Sequence, residues 1–169
     1  NATWNDFWLN EGFTTYFEHR IMEATKGQDY SDMVWSLSER TLRESVADMG
    51  QSNPDTRLRV DMEGRDPDEG FTYIPYEKGA AFLLLMEQTV GREKWDNFLN
   101  TYFDTHAFQI MTTDYFLNYL DENLFSENPA WKDEIRVDEW VFQAGIPDNY
   151  PSRENKIFDA LDELIQDVI

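Results

Sequence analysis

The chain has 169 residues, 41% of them apolar and 15% aromatic, enough for one packed domain with at most a short appendage and too much for a disordered chain. Its 34 acidic residues outweigh 14 basic ones, giving a formal net charge of −20. That excludes a phosphate-binding nucleic-acid surface and an anionic membrane surface, and favours a solvated acidic exterior or cationic ligands. With no Cys in the sequence, disulfides, thiolate catalysis and cysteine-bound metals are excluded as well.

From Trp4 to Ile21 a dense aromatic series has helical spacing from about Glu11, closing at Gly27. A second helix is expected from about Ser31 to Met49, before Gly50. Residues Gln51 to Pro75, with Pro54, Gly64, Pro67 and Gly70, resist a helical reading and hold a short strand-like piece, Arg57 to Val60. Pro75 and Gly91 bracket a helix that is apolar nearly all round, so it is expected at the centre of the fold. Amphipathic helices are expected at Glu93 to His106 and Thr113 to Leu124, and shorter ones at Ala130 to Ile135 and Asp138 to Ala144. Asn149 to Ser152 reads as a linker, with Ser152 capping a last acidic, amphipathic helix. The expectation is an all-α chain of about seven helices with one long irregular loop. The longest apolar run, Ala80 to Met86, is too short to cross a bilayer.

The only histidines are His19 and His106, and no HExxH occurs. Beside Arg20, His19 reads as a surface or edge histidine, and His106 as a helix-end residue favoured by the dipole there. There is no GxSxG elbow and no glycine-rich phosphate loop. Glu11 and Glu18 are seven residues apart, hence on one helical face. Each is either a solvated carboxylate or an engaged one. Glu11 is embedded among Phe7, Trp8, Leu9 and Phe13, where a carboxylate needs a hydrogen bond, an ion pair or a metal.

Trp8-Leu9-Asn10-Glu11-Gly12-Phe13-Thr14, followed by Tyr16 and Glu18, resembles the gluzincin zinc aminopeptidases, the family of aminopeptidase N and leukotriene-A hydrolase. Pro75-Tyr76-Glu77-Lys78-Gly79 looks like that family's catalytic-tyrosine motif, 65 residues after Glu11. Asp66-Pro67-Asp68 ahead of it and the ending Trp140-Val-Phe-Gln-Ala-Gly-Ile-Pro are similar to the leukotriene-hydrolase branch. The resemblance runs from about Thr3 to Pro147.

It implies that residues 1–147 are the helical C-terminal part of a thermolysin-like catalytic domain and residues 148–169 a linker and the start of a following helical region. It implies one Zn²⁺ in the longer parent, with Glu11 as third ligand and the other two from an HExxH motif upstream of Asn1. Tyr76 matches the phenol that stabilises the oxyanion, and Glu18 a carboxylate just behind the metal. Asp68 and Phe71 match positions facing the substrate, a peptide with a free N-terminus. Phe71 stands where the leukotriene-hydrolase branch has Tyr, so peptide hydrolysis is expected rather than epoxide hydrolysis. The acidic loop Asp61, Glu63, Asp66, Asp68 and Glu69, against Arg65 alone, would attract Arg- or Lys-bearing substrates.

The HExxH and the GxMEN-type loop are not within these residues, so the isolated chain is expected to be inactive and to bind zinc weakly, completed by the remaining parts of the same polypeptide. A cytoplasmic setting is expected. The competing reading is a non-catalytic acidic helical module that binds a basic partner or serves as a scaffold.

Overall fold

Seven α-helices in a computed structural model carry the architecture, which is described over residues 2–151 and Arg153. They are α1 (Phe7–Lys26), α2 (Gln28–Met49), α3 (Gly79–Val90), α4 (Arg92–Thr105), α5 (Thr113–Leu120), α6 (Ala130–Ile135) and α7 (Val137–Phe142). No strand occurs among the described residues, and the all-α expectation holds. The helix expected after Ser152 lies outside them.

Helix α1 begins at Phe7, earlier than its periodicity showed. A 3₁₀ turn, Trp4–Asp6, leads into it. Asp6 is buried and works at both ends of its carboxylate: Thr3 Oγ1 donates to Oδ2 at 2.8 Å and the Thr113 amide to Oδ1 at 2.8 Å. The start of α1 is thereby tied to the start of α5. Trp8 reinforces the tie, its indole N–H donating to Thr113 Oγ1 at 3.0 Å. Gly27, at φ 92°, separates α1 from α2, and Gly91, at φ 87°, separates α3 from α4. Each takes a backbone conformation that a side chain resists.

The all-round apolar segment is central as expected: Ala80 to Met86 are all buried. Around it pack Trp8 and Tyr16 from α1, Trp95 and Leu99 from α4, Phe116 from α5 and Trp140 from α7. Where α1 meets α3, Gly12 lies against Gly79. A Cβ built on Gly79 would stand 2.8 Å from Gly12 Cα, and one on Gly12 would stand 2.9 Å from Gly79 Cα. Only glycine on both sides permits this approach.

The apolar centre also contains charge. Tyr16 Oη donates to Glu87 Oε2 at 2.5 Å and accepts from Arg20 Nη1 at 2.8 Å and Trp95 Nε1 at 2.9 Å. Arg20 in turn grips Asp96 with two bonds, 2.8 and 2.9 Å. A buried carboxylate and a buried phenol are thus both satisfied, as such positions demand. Burial and the Glu87 charge together hold the Tyr16 phenol far above its ordinary range.

The loop expected to be irregular is so, with 3₁₀ turns at Pro54–Thr56 and Pro67–Gly70. The strand-like piece Arg57 to Val60 forms no strand. It has no partner strand, and Arg59 N bonds the Val141 carbonyl at 3.0 Å instead. The loop returns into a π-helical turn, Ile74–Lys78, which runs directly into α3.

Candidate functional site

The Gly12–Gly79 contact sets the geometry of the site. Glu11 precedes one glycine and Tyr76 lies one turn before the other, so the crossing brings a carboxylate of α1 and a phenol of the π-turn to one face. Glu11 is half-buried and held by its neighbour, Asn10 Nδ2 donating to Oε1 at 2.8 Å. Tyr76 is half-buried, with Phe7 edge-on to its ring at 6.0 Å. Burial raises the pKa of the Tyr76 phenol, and the charge of Glu11 raises it further. Its proton is therefore retained at neutral pH.

Phe71 is half-exposed and continues the aromatic series, 5.1 Å from Phe7 and 5.5 Å from Trp4. The structure thus brings Glu11, Tyr76 and Phe71 together. Glu18 is exposed, two turns along α1, and shares a cleft of about 550 Å³ with Phe71, Tyr76 and Glu77. Asp68 is exposed in the 3₁₀ turn Pro67–Gly70, where its amide donates to Asp66 Oδ1 at 3.0 Å. The loop's single cation, Arg65, is taken by Asp55 at 2.7 and 2.8 Å and by Glu69 at 3.0 Å. It is therefore occupied away from Asp68.

His19 corrects the sequence reading. It is buried, 3% exposed, and stacked on Trp35 at 3.9 Å. The indole comes from α2, so neither burial nor stacking was visible in the sequence around His19. Burial, with the Arg153 charge added, pulls its pKa down to about 4, so it is neutral at pH 7. His106 does end a helix, as the C-cap of α4, and bonds the Tyr102 carbonyl through Nδ1 at 2.7 Å.

Two residues of the tyrosine motif carry roles that its resemblance left unassigned. Lys78 is fully buried, and its Nζ donates to the carbonyls of Thr56 at 2.9 Å and Gln143 at 3.1 Å. It therefore pins the π-turn to the loop and to the end of α7. Burial and Arg57 lower its pKa to about 7. Glu77 lies half-buried beside Tyr76, where burial raises its pKa and the nearby Ser38 of α2 acts against that rise. Adjacency to Tyr76 was the one sequence signal for Glu77; Ser38 had none.

Among the described residues no group of three or more His, Cys, Asp or Glu is placed to hold a metal. No helix among them is long and apolar enough to cross a membrane.

The described residues thus form a helical fold in which a carboxylate and a tyrosine share one face across a glycine crossing. Comparison with known proteins identifies the family. The profile of the peptidase family M1 domain matches residues 1–140. Leucine aminopeptidase 2 of Sclerotinia sclerotiorum is 38% identical over 149 residues, covering 87% of this chain and 24% of its own length. The structure of yeast leukotriene A4 hydrolase with bestatin superposes with a TM-score of 0.84 at 30% identity, over 98% of this chain and 26% of that one. An M1 zinc metallopeptidase from Deinococcus radiodurans gives 0.67 at 26% identity, over 89% of this chain and 30% of that one. The chain belongs to peptidase family M1, and spans about a quarter of the length of the leucine aminopeptidase it matches.

Proposed function

We propose that the chain is the helical part of a zinc aminopeptidase catalytic domain, which removes N-terminal residues from peptides once completed by the rest of its polypeptide. The observation that carries this is the convergence of Glu11 and Tyr76 at the Gly12–Gly79 crossing, in a chain whose family contains zinc metallopeptidases.

Glu11 fits a metal. It is a hard oxygen donor, half-buried, with Asn10 fixing one oxygen and leaving the other available. A catalytic zinc takes three protein ligands, and Glu11 supplies one; the others come from outside these residues, so this chain alone binds zinc weakly. When bound, zinc lowers the pKa of water and polarises a carbonyl. Tyr76 does the complementary work. Its phenol keeps its proton beside the Glu11 charge and donates it in a hydrogen bond to the oxygen that becomes negative as the peptide carbon turns tetrahedral. Phe7 packs edge-on against that phenol, and Phe71 beside it walls the space for the substrate's first side chain. Asp68 does not line the cleft of Tyr76 and Phe71, but with its loop's arginine engaged elsewhere its charge favours a cationic side chain nearby. Glu18 lies behind Glu11 on the same helix, where its negative charge supports the metal site electrostatically.

The test is Tyr76→Phe in the full-length protein with an aminoacyl-anilide. Because the hydroxyl serves a charge that exists mainly in the transition state, kcat is expected to fall on the order of 10²–10³ with KM little changed. An unchanged kcat removes Tyr76 from the mechanism.

A further inference from the structure

The π-turn that carries Tyr76 is anchored from its inner side. Side chains two residues apart on a helical turn leave it about 200° apart, so Tyr76 stands beside Glu11 while Lys78 points into the protein. There Lys78 Nζ donates to the Thr56 carbonyl at 2.9 Å and to the Gln143 carbonyl at 3.1 Å. The two acceptors are themselves tied together. Thr56 is fully buried, and its Oγ1 accepts from the Gly145 amide at 2.8 Å and donates to the Asn53 carbonyl at 2.6 Å. One hydroxyl thus joins the loop to the chain after α7 and makes a single cradle for the amine.

No carboxylate of the described residues reaches this amine. Asp55, beside Thr56, is taken by Arg65, and Glu87 of α3 by Tyr16 and Arg20. Unionised, an amine has two N–H, one for each carbonyl of the cradle, and burial and Arg57 favour that form.

What two hydrogen bonds add to packing is direction. Ile74, on the same turn, is fully buried against Leu42 and Val46 and supplies the apolar anchor, but apolar burial is non-directional. Hydrogen bonds weaken steeply away from linearity, so the pair made by Lys78 fixes how the turn is rotated about its axis. Side chains reach roughly 5–6 Å from a helix axis, so about 10° of rotation moves a group at that radius by about 1 Å. A displacement of about 1 Å at a reacting centre costs on the order of a hundredfold in rate.

We propose that Lys78 is a positioning residue for the Tyr76 hydroxyl: its bonds to the Thr56 and Gln143 carbonyls set the rotation of the π-turn and so aim the phenol at the oxygen it serves. This role rests on the aminopeptidase reading. Lys78 is buried away from the site, so its whole effect on the reaction passes through Tyr76. Its removal therefore cannot cost more than removal of the phenol's hydroxyl, and costs nothing once that hydroxyl is gone.

The test is a double-mutant cycle in the full-length protein at pH 8 with an aminoacyl-anilide. Lys78→Met and Thr56→Val are each made alone and with Tyr76→Phe. Circular dichroism and zinc content per protein establish that each variant is folded and loaded. Thr56→Val leaves the lysine in place and loosens its cradle, so it carries the same cycle should Lys78→Met not fold. Lys78→Met is expected to lower kcat about ten- to a hundredfold with KM little changed, and Thr56→Val to lower it by a smaller factor. Thr56→Ser, which keeps the hydroxyl, is expected to restore kcat. In the Tyr76→Phe background neither Lys78→Met nor Thr56→Val is expected to lower kcat further.

Losses by the same factor in both backgrounds overturn the proposal, because the lysine then serves the fold or the metal and not the phenol. An unchanged kcat in both single variants overturns it too, as does a Thr56→Ser protein as slow as Thr56→Val. An unchanged kcat for Tyr76→Phe alone overturns the role of Tyr76, and with it the role of Lys78, whereas additive losses overturn that of Lys78 only.

Discussion

Replacing Gly79 by Ala tests the tightness of the α1–α3 crossing. The new methyl would stand 2.8 Å from Gly12 Cα and 3.5 Å from the Trp8 carbonyl oxygen. Carbon atoms rest at about 3.5–4.0 Å, so α3 must move away from α1 by roughly 1 Å. The nearest obstruction is backbone, and no rotamer change relieves it. Overpacking in a core costs about 1–3 kcal/mol, and this site belongs at the upper end or beyond. Alanine returns about 1 kcal/mol of helix propensity relative to glycine. The net expected loss is about 2 kcal/mol, or roughly 4–8 °C in Tm for a chain of this size. Urea unfolding followed by tryptophan fluorescence measures it, with Trp8 and Trp95 reporting from the core. In the full-length protein the same variant should lower kcat by up to about a hundredfold, because a displacement of about 1 Å at a reacting centre costs that much. A Gly79→Ala chain with wild-type stability or better, at an unchanged m value, would refute the crossing.

Other outcomes follow from the buried ionisable groups and the acidic loop. The His19 imidazole is expected to titrate at about 4 by NMR. Because the unfolded chain takes up the proton first, its contribution of about 3 kcal/mol is fully present above pH 6.5 and is lost as pH falls toward 4; a His19 titration near 6.5 contradicts this. Lys78→Met strands the Thr56 and Gln143 carbonyls and should cost about 3 kcal/mol at pH 8. The cost should shrink at pH 6, because the wild-type amine, lowered to about 7, is then charged while buried and stability rises only as pH climbs from 7 toward 10.5; an equal cost at both pH values sinks this account. Asp68→Asn in the full-length protein should cut kcat/KM severalfold for an Arg-anilide and leave a Leu-anilide nearly untouched, at high salt as at low. If both substrates fall together, Asp68 is structural, and if only low salt shows the effect, the loop acts as a diffuse field.

Helix ends were legible where one residue type closes them. Gly27, Gly50 and Gly91 stop α1, α2 and α3 in the sequence and in the structure alike. The start of α1 was not, because it is fixed from a distance by Asp6 and Thr113, residues 107 positions apart. The strand-like residues 57–60 show the same limit: extended propensity needs a partner strand, and the fold offers a single carbonyl of Val141. At the site, Glu11 and Tyr76 were legible as motif residues, but their convergence depends on two glycines that local pattern leaves unremarkable. His19 was misread because a helix-surface spacing says nothing of an indole arriving from the next helix.

The π-turn at Ile74–Lys78 opens α3 with a turn about one residue wider than a regular helical one. Each residue of an α-helix turns the chain by about 100°. Deleting a single codon from this turn would let the helix close regularly and swing everything before it by about that angle, leaving the apolar segment from Ala80 onward in place. The phenol would leave Glu11, and the buried Ile74 and the Lys78 bonds to Thr56 and Gln143 would be displaced with it. Reactivity and foldedness are therefore coupled through this turn, and the shortest in-frame change a gene can make touches both.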